Sequence, residues 1–246
     1  MTACAPLRFE EKLWRFPIVG SVPYLGFFHE KTAREYAKAL ERDGLDVDVR
    51  GVSTYSTLGW FRDPITSPML ADGPNALGDL VDVVLHESVH ATIYLDDQTP
   101  FNESLASFVA PRLAADYLAR TRGSDAPETI VFADERLRIA HVDSSLYSAW
   151  GELDALYRSP APDRDKLEKK AEVLAGVSTD VGFAVNNATL VDARVYGAGL
   201  PELGALFEAC GGDWPRFWKA VRGLKSSDFG EKQSEDLANV LARVGC

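Results

Sequence analysis

Five residues carry the sharpest chemical signal in this sequence: His86-Glu87-Ser88-Val89-His90, an H-E-x-x-H pattern inside the apolar run Leu80 to Leu95. On a helix, residues four apart differ by about 40° in direction and about 6 Å in height, so both imidazoles project from one face. That spacing suits two nitrogen donors to one zinc ion. Glu87 stands beside them, placed to take a proton from a water that the metal activates. The bland alternative is a buried helix with two hydrogen-bonded histidines and no metal.

A zinc hydrolase needs a third protein ligand and an open fourth position. Pro100-Phe101-Asn102-Glu103-Ser104 offers Glu103, with twelve residues between it and His90. From His90 the helix can continue through Leu95, rising about 7.5 Å. Asp96-Asp97-Gln98 reads as a turn, Thr99 as an N-cap and Pro100 as the first residue of a returning helix. Glu103, four residues past Thr99, then comes back down by about 6 Å and arrives level with His90. Otherwise Glu103 is simply a carboxylate complementing a helix N-terminus.

The segment resembles the gluzincin metallopeptidases, which carry H-E-x-x-H on one helix and an Asn-Glu pair on the next. Asn102-Glu103 matches that pair. The resemblance implies that His86, His90 and Glu103 hold zinc and that Asn102 orients a ligand through a hydrogen bond. It also shows a departure. Many gluzincins place an Asp four residues after the ligand Glu, to hold a zinc histidine. Here that position is Ser107, whose hydroxyl is a weaker orienter, unless another residue such as Asp82 supplies the carboxylate.

The elements that must position these groups fit an ordinary globular chain. With 246 residues, 46% apolar and 26% charged, the sequence can bury a substantial core. Its net charge of -11 argues against nucleic acid or an anionic membrane as partner. No apolar run is long enough to span a bilayer. Cys4, Cys210 and Cys246 are scattered and odd in number, and are expected to form neither a disulfide framework nor a zinc ribbon.

Residues 6 to 28 read as extended segments and turns, and Lys31 to Asp43 as an amphipathic helix stopped by Gly44. Leu45 to Ser53 alternates like a strand. Tyr55-Ser56-Thr57-Leu58-Gly59-Trp60-Phe61 reads as a second strand. In zincin-type folds an edge strand beside the active helix pairs with the substrate backbone, which would make Tyr55 and Gly59 substrate-binding positions. A plain core strand is the equal alternative. Residues 71 to 78 read as loop. After the two metal-site helices, helices are expected over Phe132 to Tyr157 and Asp163 to about Ala175, hinged at Ser159-Pro160-Ala161-Pro162. Asn186 to Gly199 looks less regular. Short helices follow over Pro201 to Cys210, Trp214 to Gly223 and Ser234 to Val244.

The fold class expected is α+β: a zincin-like metallopeptidase core with a small N-terminal sheet and a mainly helical C-terminal half. Residues 1–120 would hold the sheet and the helix pair. Residues 121–246 would pack on them, making one continuous catalytic unit.

The chain also resembles a bacterial family described as predicted aminopeptidases, often envelope lipoproteins. The resemblance rests on Trp14-Arg15-Phe16-Pro17-Ile18-Val19-Gly20, Tyr55 to Phe61, the H-E-x-x-H, Phe101 to Ser104, Asn186-Asn187-Ala188 and Cys210-Gly211-Gly212-Asp213. It covers most of the chain. Members usually carry a signal peptide and a further stretch before the Trp-Phe-Pro segment, where this sequence almost begins. The expectation is therefore an N-terminally trimmed form of an exported protein of the periplasm or cell envelope, with a cytoplasmic location left open.

Together these readings imply zinc-dependent hydrolysis of peptide or protein substrates, with Glu87 as the base. Gluzincins often stabilise the oxyanion with a Tyr or His from the C-terminal half. Tyr196 is the candidate here, against an ordinary half-buried tyrosine. His141 reads as a surface or core histidine, and His29 opens a helix without a partner. The resemblance does not decide between aminopeptidase and endopeptidase. A metal-binding envelope protein without peptidase activity, or a helical interaction protein with an accidental motif, are the rival readings.

Overall fold

The computed structural model describes residues 1–16, 20–51, 70, 72–197, 199–234 and 236–246. The protein is α+β, mostly helical with small antiparallel sheets. Its Cα framework forms two compact units, each drawing on two stretches of chain: Met1–Val52 with Ile139–Arg194, and Ser53–Arg138 with Val195–Cys246.

In the first unit, β1 (Thr2–Cys4) pairs antiparallel with β4 (Asp46–Asp48), Ala3 opposite Val47. β2 (Trp14–Phe16) pairs antiparallel with β3 (Gly20–Val22). Helix α1 (Glu30–Arg42) buries Ala33, Ala37 and Leu40, the one-face spacing its sequence predicts. Ala3, Ala37, Leu40 and Val47 form a small core between strand pair and helix.

Helix α4 (Pro127–Arg158) is longer at both ends than its apolar spacing suggests. Helix α5 (Asp163–Val181) runs past Ala175 to Gly182, whose φ of 83° ends it in the left-handed conformation that glycine adopts without strain. Leu146, Leu153, Val177 and Leu190 join these helices to α6 (Asn187–Gly197). The irregular segment expected from Asn186 onward is therefore a helix. Its start is fixed by a reciprocal cap: the Thr189 amide donates to Asn186 Oδ1 at 3.2 Å and the Asn186 amide donates to Thr189 Oγ1 at 3.3 Å.

Polar groups bind the same unit internally. Buried Lys170 donates to Asp46 Oδ2 at 2.6 Å and to the Pro6 carbonyl at 2.9 Å. Asn187 donates to the Ala5 carbonyl and accepts from the Tyr157 hydroxyl.

In the second unit, α2 (Ala76–Thr92) and α3 (Thr99–Arg122) pack side by side. Helix α2 begins inside the segment expected to be loop. Leu77, Val81 and Leu85, one turn apart, pack on Ala114, Leu118 and Phe132. Gly78 lets Phe132 lie against α2, since a Cβ there would meet the Phe132 ring and stand 2.8 Å from Asn75 Oδ1. The buried face of α3, with Phe101, Leu105 and Phe108, packs on α7 (Leu200–Ala209), α8 (Trp214–Val221) and α9 (Leu237–Leu241). Cys210 and Cys246 form a disulfide across 36 residues. One cross-link thus forms among the scattered cysteines, because the fold brings the end of α7 beside a residue that nothing in the spacing links to it. Cys4 is buried and carries no disulfide.

Candidate metal centre

Helix α2 sets the first two donors. Val81, Leu85 and Val89 face neighbouring helices, and Asp82, His86 and His90 form the adjoining stripe at the same four-residue spacing. Helix α3 returns antiparallel and presents Glu103 in its second turn. His86 Nε2 and His90 Nε2 are 3.2 Å apart. Glu103 Oε2 stands 3.4 Å from His86 Nε2, and its Oε1 3.7 Å from His90 Nε2.

These distances provide a test of fit. Donors bound to an ion of zinc's size at about 2.0–2.2 Å, at tetrahedral angles, stand about 3.3–3.6 Å from one another. The observed separations of 3.2, 3.4 and 3.7 Å come within about 0.1 Å of that range, the two histidines facing different oxygens of Glu103. One donor atom from each residue lies within 4.8 Å of the other two, so the group can hold a metal ion. His90 lies in the last turn of α2, where the negative end of the helix dipole also favours a cation.

The electrostatics suit the same charge. Burial alone would lower the His86 pKa, but its hydrogen bond to Glu103 and the carboxylates of Glu103, Glu87 and Asp82 raise it above its ordinary value. Burial works to raise the Glu103 pKa, yet hydrogen bonds from His86 and His90 hold it down to about 2. Glu103 is therefore ionised and turns a negative charge toward both imidazoles.

Glu87 is half-buried, and its Oε2 is enclosed with no hydrogen-bond partner among the described residues. An enclosed carboxylate oxygen without a donor is costly unless water or substrate supplies one. It is thus an acceptor held in reserve beside the two histidines.

The residues expected to orient the ligands act otherwise. The Asn102 amide reaches no ligand. Its Oδ1 accepts from the Leu95 amide at 2.9 Å, and its Nδ2 donates to the Leu95 carbonyl at 2.9 Å. Both ends of the side chain close the α2–α3 turn. Ser107, among the described residues, makes no hydrogen bond to His86 or His90; it sits one turn beyond Glu103 and one turn before Pro111, inside α3. His90 Nδ1 is enclosed and has no partner among the described residues.

Asp82 stands one turn before His86 on α2. Its Oδ2 accepts from Arg136 Nη1 at 2.9 Å. Burial raises the Asp82 pKa, against the opposing charges of Arg136 and His86. Arg136, 54 residues along the chain, is a participant that no local spacing announces.

Tyr196 lies in α6, and its side chain is outside the described residues, as are Tyr55 and Gly59. His141 is exposed and pairs with Asp180 at 3.2 Å. His29 precedes α1 as its cap residue, without a capping hydrogen bond. No helix among the described residues is long and apolar enough to cross a membrane.

A family model described as "Putative aminopeptidase" matches residues 1–237. Searches of curated proteins and of solved structures return no match.

Proposed function

The chain belongs to this aminopeptidase family, and from that premise we propose that it is a zinc-dependent peptide hydrolase with a zincin-like site, releasing residues from the amino end of its substrates. The observation that carries the reading is the triangle of His86, His90 and Glu103 beside the partnerless Glu87 oxygen. Structural zinc sites usually have four protein ligands; three gather here among the described residues, which supports a catalytic role.

Zinc, when bound, supplies Lewis acidity that lowers the pKa of water and polarises the scissile carbonyl. Glu87 takes the proton of the attacking water as oxygen bonds to the carbonyl carbon. It then delivers that proton to the amide nitrogen as the carbon–nitrogen bond breaks, and the second proton of the former water passes to the freed amine, so that a carboxylate and an ammonium leave. His86 and His90 present their Nε2 atoms, and Glu103 offsets part of the metal charge. Tyr196 is the proposed donor to the developing oxyanion, and Tyr55 and Gly59 the proposed substrate-backbone contacts.

The reading extends to location. A periplasmic or envelope enzyme accords with the Cys210–Cys246 disulfide, because such bonds persist in oxidising compartments.

The test is hydrolysis of fluorogenic peptides with free and acetylated amino ends, before and after chelation. Cleavage of the free-amine set, lost with chelator and restored by zinc, is the expected result. Cleavage indifferent to chelator overturns the metal mechanism. Equal cleavage of acetylated peptides replaces the aminopeptidase reading with an endopeptidase one.

A further inference from the structure

The six residues between α2 and α3 decide how the two histidines meet Glu103, and this turn is held from a distance. Asp97 adopts φ 61°, a left-handed conformation costly for a side chain other than glycine. Its carbonyl accepts from the Gln233 amide at 2.7 Å, and Gln233 is itself left-handed at φ 54°. These two are the described non-glycine residues with positive φ, and they bond to each other.

Further contacts join the same segments, among them an ion pair of Lys232 with Asp97 at 2.8 Å. Gln98 is only 2% exposed. Its Nε2 donates to the Glu231 carbonyl at 2.8 Å, and its Oε1 accepts from the Ser234 amide at 3.2 Å. The Ser226 hydroxyl donates to the Asp96 carbonyl at 2.9 Å. Gln233 Oε1 accepts from the Thr99 amide at 2.9 Å. Thr99 opens α3, so its N–H is one of the donors that the helix itself leaves unpaired. Gln98, the residue in the capping position, makes no side-chain cap because its amide is turned to Glu231 and Ser234. Gln233 therefore caps, from 134 residues away, the helix that bears Glu103. Phe229 adds an apolar anchor, its ring 5.4 Å from that of Phe101, two residues before Glu103.

We infer that residues 226–234 are a strap that sets the register of the metal centre, with Gln233 and Gln98 as positioning residues. The inference rests on the proposed reading of His86, His90 and Glu103 as a metal site. Its physical content is simple. Glu103 follows Thr99 by one helical turn, so freedom at the α3 start becomes displacement of the carboxylate from the two imidazoles. A donor set free to drift loses part of its affinity to the cost of reassembly.

The experiment is a zinc titration of the full chain against a competing chelator dye, with thermal melts alongside. Gln233→Ala should weaken zinc binding about tenfold, the size set by one lost side-chain hydrogen bond. Gln233→Glu should restore it, since a carboxylate still accepts from Thr99 and suits the positive end of α3. Tyr157→Phe, which removes a bond to Asn187 in the other unit, should lower the melting temperature and leave zinc affinity unchanged.

A Gln233→Ala protein that binds zinc like the parent overturns the inference while leaving the metal site intact. So does a Tyr157→Phe protein that loses as much affinity as Gln233→Ala. A parent that takes up no zinc overturns the site reading itself and the inference with it. Should Gln233→Ala not fold, Ser226→Ala provides the milder loosening: weaker zinc binding supports the strap, and parental affinity overturns it.

Discussion

Asn102 and Leu95 form a closed pair: one side-chain amide meets both the N–H and the C=O of one backbone residue, each at 2.9 Å. Leu95 follows the end of α2, and Asn102 lies in the first turn of α3. The residue before the third proposed metal donor thus fixes the turn that delivers it. Asn102→Ala leaves the Leu95 N–H unpaired and removes one of the two donors to the Leu95 carbonyl, which the Gln98 amide still reaches at 3.2 Å, so stability should fall by about 1–3 kcal/mol. Chemical denaturation measures that loss. Asn102→Asp tests the donor alone, since it keeps the acceptor for the Leu95 amide and repels the Leu95 carbonyl.

Glu87→Gln separates chemistry from metal binding. Gln is nearly isosteric but cannot take the proton. Zinc content by metal analysis should equal the parent's, while peptide hydrolysis drops on the order of 100- to 10,000-fold. Parental turnover in this variant would remove Glu87 from the role of base.

Gly78 measures how closely α2 and α4 must approach. The added methyl of Gly78→Ala meets a Phe132 ring that is 1% exposed and cannot swing aside. Overpacking of this kind costs about 1–3 kcal/mol. A melting temperature above the parent's would show that the ring has room to yield and that helix propensity wins.

The metal-free protein should carry a pH signature from His86 and Glu103. His86 has a folded pKa above its ordinary 6.5, so its contribution is complete below 6.5 and lost as pH rises through the raised value. Glu103 runs oppositely. Its contribution is complete above 4.5 and lost as pH falls through about 2. From this pair, chelated protein is most stable between about pH 4.5 and 6.5. Melts across pH 5 to 9 should decline above 6.5, and His86→Gln should flatten that decline. A flat parental profile would show that the pair contributes nothing to folding.

What the sequence disclosed and what it hid follow from the range of each interaction. His86, His90 and Glu103 were legible because a helical period and a short turn fix their heights, and both are local. Asn102 was found as a residue but misjudged in its action, since the sequence shows an amide and not where it points. Ser107 was drawn from a family pattern that this chain does not follow. Helix α6 was missed although its Asn186–Thr189 cap stands in plain view, three residues apart. Arg136, Gln98 and Gln233 had no local signal. Their partners lie between 54 and 136 residues away, and only the folded chain brings them in.

That span bears on synthesis. The hairpin of α2 and α3 contains every proposed metal donor and closes through neighbours in sequence, so it can form as soon as those residues emerge. The groups that lock its turn, from Ser226 to Ser234, are made more than a hundred residues later. During that interval a nascent chain holds the hairpin with its bend closed only from within, by Asn102 on Leu95, and the contacts from residues 226–234 are added afterwards.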